Sequence, residues 1–152
     1  MIGRGGLNET TPLRLSGGDL LACARTFKDQ APGNEQRLEL FRSTDNGASW
    51  TREQAVSEPM EHPAHLLELA DGRVLLTYGD RTHSSWRSNW PDGSPGKAEF
   101  PNGIKTRISS DGGYPATVQL ADGRLLTAFY ARRTADYDGY QMATVTWRYP
   151  PQ

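Results

Sequence analysis

This sequence predicts an all-β fold. Three observations carry the prediction: a hairpin motif recurs along the chain, turn-forming residues are abundant, and no window shows a capped 3.6-residue apolar period. The 152 residues include 16 glycines and 10 prolines, a share that suits many turns and argues against a helical bundle. The motif Leu69–Thr77 (LADGRVLLT) returns 51 residues later as Leu120–Thr127 (LADGRLLT), and a weaker copy, Leu15–Ala22 (LSGGDLLA), lies 54 residues upstream. A repeat near fifty residues, each unit long enough for about four antiparallel strands, is the mark of a propeller blade. Three units fall short of the roughly 4–8 blades of a closed ring. The expected architecture is a partial β-propeller of about three four-stranded antiparallel blades. It forms one domain over residues 1–152, with units at about 8–58, 62–112 and 113–149.

The elements follow in order within each unit. An apolar strand, a turn with Gly17-Gly18, Asp71-Gly72 or Asp122-Gly123, and a second apolar strand make a hairpin. Glycine there supplies the positive φ that such turns need. Alternating polar and apolar residues predict further strands at Arg37–Ser43, Lys105–Ser109 and Tyr140–Trp147. Residues 28–36 read as a polar loop. Residues 82–103 read as a long insertion carrying Trp86 and Trp90, and such a loop in a compact domain is usually functional or disordered. Terminal blades without neighbours are expected to expose Leu13, Val145 and Phe129, so self-association or poor solubility is expected.

Several function classes fall away. Lys and Arg number 17 against 18 Asp and Glu, a formal charge of −1, which weighs against a nucleic-acid partner held by bulk charge. No apolar run approaches the ~18 residues of a membrane span, and the opening residues lack the apolar stretch of a signal peptide. No membrane partner is expected, and the compartment is left open. The single Cys23 cannot form an internal disulfide and reads as an inert core thiol. His62 and His65 lack a third ligand at a metal-binding spacing, so neither a metal nor a cofactor is expected.

The eight residues from Ser43 to Trp50 (STDNGASW) fit the Asp-box pattern S-x-D-x-G-x-[S/T]-W at each defined position. Ser43, Asp45, Gly47 and Trp50 are read as structural: the carboxylate satisfies turn amides, the glycine turns left-handed, and the indole locks the turn. Asn8-Glu9-Thr10-Thr11 with Arg25 downstream, Ile104–Gly112, and Gly113-Tyr114-Pro115 ahead of Leu120-Ala121-Asp122-Gly123 complete the motif set. In this order the chain resembles the C-terminal half of a bacterial exo-α-sialidase catalytic domain. Sialidases (neuraminidases) are propellers with BNR repeats, or Asp boxes.

That resemblance implies a glycosidase acting on terminal sialic acids of glycoconjugates, with Tyr114 as nucleophile, Glu9 as its base and Arg25 in a carboxylate clamp. The substrate explains the residue types. A carboxylate on the anomeric carbon repels an anionic nucleophile, whereas a tyrosine deprotonated by a neighbouring glutamate avoids that clash. Arginine holds the substrate carboxylate through paired, charge-assisted hydrogen bonds. Propeller topology puts the hairpin turns at one end of the blades and the strand starts at the other. His62, His65, Asp80, Arg81 and Arg132 fall at the second end and are candidate sugar-binding residues. The resemblance is incomplete. The family's first arginine and acid/base aspartate would belong to earlier blades, and Phe100–Gly103 stands where its third arginine is expected. A chain inactive by itself, or a non-catalytic Asp-box module binding glycan or protein, stays open.

Overall fold

The computed structural model describes residues 6–26, 36–80, 97–99, 105–107, 112–134 and 137–148. They form eleven strands: β1 (Leu7–Arg14), β2 (Leu20–Thr26), β3 (Leu38–Ser43), β4 (Thr51–Ala55), β5 (Glu61–Glu68), β6 (Val74–Asp80), β7 (Lys97–Glu99), β8 (Lys105–Arg107), β9 (Gly112–Gln119), β10 (Leu125–Thr134) and β11 (Tyr137–Trp147). No helix occurs among the described residues. The four-stranded β1-β2-β3-β4 sheet is a complete antiparallel blade. β5-β6 and β7-β8 are two-stranded, and β9-β10-β11 makes a third, three-stranded blade sheet. This is the partial β-propeller that the repeats predict.

The three repeated hairpins fold alike. Leu15, Leu69 and Leu120 each donate a backbone N–H to the carbonyl four residues on, at 2.9, 2.8 and 2.7 Å. Gly18, Gly72 and Gly123 donate back to the same leucines at 2.9 Å. Their φ values of 99°, 81° and 79° put the left-handed residue at the second position of each Gly-Gly or Asp-Gly pair. The result is a tight turn closed by a glycine bulge.

Apolar side chains of facing sheets fill two seams. Leu21, Cys23, Leu38 and Leu66 are buried between the first sheet and β5-β6, with Leu13, Leu40, Ala64 and Leu76 packed around them. Burial pushes the Cys23 thiol up to about 12, so it stays protonated and inert. Leu69, Leu75, Leu125 and Trp147 fill the seam between β5-β6 and the third sheet. Phe129 also faces inward, packed with Ala131, Ala143 and Val145. The expectation of exposed Leu13, Val145 and Phe129 is therefore corrected: Phe129 is buried and the other two are half-buried. Strand alternation turns the other face of the third sheet outward, so Val118, Tyr140 and Met142 are among its exposed residues.

Polar links also fix the sheets against each other. Ser16 donates its N–H and hydroxyl to the two Glu68 carboxylate oxygens, each at 2.7 Å. Across the second seam, Ala70 N–H donates to Gln119 Oε1 at 2.8 Å. The turn from Ser43 to Trp50 lies beside the β1–β2 turn, where Arg14 donates to Asn46 Oδ1 at 2.5 Å. Both turns therefore occupy one end of the first blade, and the start of β1 lies at the other.

Candidate functional site

Each of the innermost strands β1, β5 and β9 carries a bulge near its start. Pairing with the second strand of the hairpin skips from Asn8 to Thr11, from Glu61 to Ala64, and from Gly113 to Ala116. Two residues oppose one in each case, which bends the strand and re-aims the first bulged side chain. Those first residues are Glu9, His62 and Tyr114. Glu9 and Tyr114 have φ of 44° and 50°, a left-handed conformation that non-glycine residues seldom adopt. Strained backbone of this kind clusters at functional sites.

The bulges bring two of the expected residues together. The Tyr114 hydroxyl donates to Glu9 Oε1, and Arg25 Nη1 donates to Glu9 Oε2 at 2.6 Å. Arg25 Nη2 donates in turn to Gln36 Oε1. Arg25 comes from β2, where it pairs with Asn8, so the hairpin itself sets the Arg25–Glu9 spacing. The Arg25 and Glu9 side chains are 17% and 22% exposed, whereas Tyr114 is 53% exposed. Water and ligand therefore reach the phenol while the ion pair behind it is sheltered.

Electrostatics favour a charged carboxylate. Burial alone would raise the Glu9 carboxyl. The hydrogen bond from Tyr114, the hydrogen bond and charge of Arg25, and the charge of His62 outweigh it, and the group titrates below its ordinary 4.5. Glu9 is thus a charged carboxylate at neutral pH that accepts a hydrogen bond from the phenol. Tyr130 stacks obliquely on Tyr114 with ring centroids 5.9 Å apart, and Tyr140 lies 6.0 Å from Tyr130, extending an aromatic surface from the phenol.

His62 is 1% exposed. His65 is half-buried, and its Nδ1 accepts from the Thr117 N–H at 3.3 Å. Burial pushes the His65 imidazole down, which keeps it in the neutral form that this bond requires. The Asp80 backbone ends β6 opposite Glu61, and the Arg132 backbone lies in β10 opposite Tyr140. Arg81, Trp86 and Trp90 lie outside the described residues. No group of three or more His, Cys, Asp or Glu side chains converges as a metal site among the described residues. Gln36 is the site residue that sequence reasoning missed. It stood at the end of a segment read as loop, and no local pattern marks it.

At the opposite end, the Ser43–Trp50 turn is held by its own side chains. Asp45 Oδ1 accepts from the Ser43 hydroxyl at 2.7 Å and from the Ser49 N–H at 2.8 Å. Gly47 N–H donates to Ser43 Oγ at 2.9 Å, and Trp50 Nε1 donates to the Gly47 carbonyl at 3.2 Å.

No protein-family model matches this chain. No curated protein matches it either. Solved structures do. One is a protein of unknown function from Dyadobacter fermentans, with TM-score 0.62 and 23% identity, matched over 97% of this chain and 40% of that one. Another is the α-L-arabinanase of Penicillium chrysogenum complexed with arabinobiose, with TM-score 0.69 and 15% identity, matched over 97% of this chain and 47% of that one. The chain spans less than half the length of either. At these identities the likeness is one of fold, and that fold is the propeller.

Proposed function

We propose that this chain carries the nucleophile half of a sialidase-like glycosidase site acting on terminal sialic acids. One observation carries the reading: the Tyr114 phenol is bonded to a glutamate whose other oxygen is held by an arginine. Glu9 is the base and Tyr114 the nucleophile that attacks the anomeric carbon. Arg25 contributes to the anion clamp. Each of its terminal nitrogens bears two N–H groups, so one on each remains beyond those given to Glu9 and Gln36. His65, Asp80, Arg81 and Arg132 are the proposed sugar-contacting residues. The arabinanase likeness supports a carbohydrate ligand in general, since that protein was crystallised with a sugar.

A second reading is a glycan-binding module without turnover. It is favoured by the engagement of both Arg25 terminal nitrogens within the protein. Intact-protein mass spectrometry after incubation with a 3-fluorosialosyl fluoride separates the two. In the catalytic reading the Tyr114 oxygen bonds to the anomeric carbon, fluoride leaves with the bonding pair, and the phenolic proton passes to Glu9. A single adduct mapping to Tyr114, absent in Tyr114→Phe, is the expected result. Saturable sialoside binding without an adduct establishes the module, and neither adduct nor binding ends the sialoside reading.

A further inference from the structure

We propose that His62 is a positioning residue for the Glu9–Tyr114 pair, set between the two strands that carry them. The three bulges stand at matching places in their hairpins, and His62 occupies in β5 the place that Glu9 holds in β1 and Tyr114 in β9. β5 packs against β1 on one side and β9 on the other, so the second bulge lies between the first and third. Its register is fixed on both sides. Thr117 N–H donates to His65 Nδ1, and these residues stand three beyond Tyr114 and His62 respectively. Glu68, at the far end of β5, clasps Ser16 of the first hairpin.

At 1% exposure the His62 ring presents no surface to a ligand, and it acts through its neighbours. The charged groups facing Glu9 are Arg25 from β2 and His62 from β5, with the Tyr114 phenol from β9. The Arg25 charge, and that of the His62 ring when it is protonated, favour the carboxylate, and in a sheltered site charges are felt more strongly than at the surface. Arg25 also fixes one carboxylate oxygen by a direct bond, leaving the other turned to the phenol. A protonated His62 ring would add its charge from the strand between.

The inference rests on Glu9 and Tyr114 being the reacting pair, but its test reads protonation, not turnover. Failure of the sialoside reading therefore leaves it standing or falling by itself. The Glu9 carboxyl is followed by carbon-detected NMR across pH in the intact chain and in His62→Gln, with the signal assigned through Glu9→Gln. The expected result is an upward move of the Glu9 midpoint by roughly half a unit or more in His62→Gln. A purely structural His62 would lower the melting temperature and leave that midpoint unmoved, which overturns the proposal. The reciprocal measurement does not need His62→Gln to fold. Coupling between two charges is mutual, so the His62 ring titration must move to lower pH in Glu9→Gln than in the intact chain. An identical His62 titration in both proteins overturns the proposal equally.

Discussion

Tyr114 and Glu9, 105 positions apart in the chain, are joined by a hydrogen bond from the phenol to the carboxylate, and each stands at positive φ in a bulge. Neither residue chooses that conformation unaided. The bond forms because two hairpins of one repeated design are packed around a third.

The pair has a pH signature. Glu9 titrates below 4.5 in the fold, so its contribution to stability is present above 4.5 and is lost as pH falls through the lowered folded value. Glu9→Gln keeps an oxygen for Tyr114 but leaves the sheltered Arg25 guanidinium without its counter-charge. The expected cost at pH 7 is on the order of 1–3 kcal/mol in urea unfolding. The gap between the two proteins should narrow as pH falls below 4.5 through the lowered folded value. Equal stability at pH 7 would show that the ion pair contributes nothing.

Asp45 makes a second, separable contribution at the opposite end of the blade. Hydrogen bonds from the Ser49 hydroxyl and N–H and from the Ser43 hydroxyl pull its carboxyl down to about 2 from 3.8. That stability is therefore present above 3.8 and lost as pH falls toward 2. Asp45→Ala should lower the melting temperature at pH 7 and flatten its fall between pH 4 and 2. Any sialoside binding should be unaffected, and a selective loss of binding at unchanged melting temperature would falsify the structural role.

The hairpins were legible in the sequence because a turn that needs positive φ at one place selects glycine there, and Gly18, Gly72 and Gly123 repeat visibly. The bulges were not. One extra residue disturbs strand alternation only briefly, so no pattern announces it. Pro63 and Pro115 were the available signal: each is the second residue of its bulge, where a missing N–H costs the ladder nothing. Thr10 holds that place in the first bulge and hid the equivalence. Phe129 was misplaced for a related reason. Alternation along β10 separates two faces but does not say which meets the neighbouring sheet, and both faces of this strand carry apolar residues.

The two glycines of the first turn and the one in the second offer a controlled comparison. Neither Gly17 nor Gly72 has an atom within 4 Å of a built Cβ, so sterics with neighbours do not distinguish them. Gly72 has φ of 81°, and Gly17 lies outside the left-handed region. Gly72→Ala should cost about 1 kcal/mol in strain. Gly17→Ala should be neutral or stabilise by roughly 0.4–1 kcal/mol through the unfolded chain. Equal effects in thermal unfolding would mean that the Gly72 turn relaxes freely.

The seam between the second and third sheets contains a chain of buried hydroxyls anchored at one end by an indole donor. Trp147 Nε1 can only donate, and it donates to Thr127 Oγ1 at 2.9 Å. Thr127 Oγ1 and Thr117 Oγ1 share a hydrogen bond at 2.9 Å, as do Thr117 Oγ1 and Thr77 Oγ1 at 3.2 Å. All three threonines are about 1% exposed or less, so no water replaces a lost partner. Thr127→Val preserves shape but leaves the indole N–H buried without an acceptor, at an expected cost of about 1–3 kcal/mol. Thr127→Ser restores the acceptor and should recover most of the loss, paying only for the missing methyl group. Because the seam holds β9 against β5 and β6, loosening it should also weaken the Tyr114–Glu9 bond. Denaturant unfolding of the three proteins, with the Tyr114 ultraviolet titration as a local readout, checks both parts. A Thr127→Val protein as stable as Thr127→Ser would show that the hydroxyl chain is not what holds this seam.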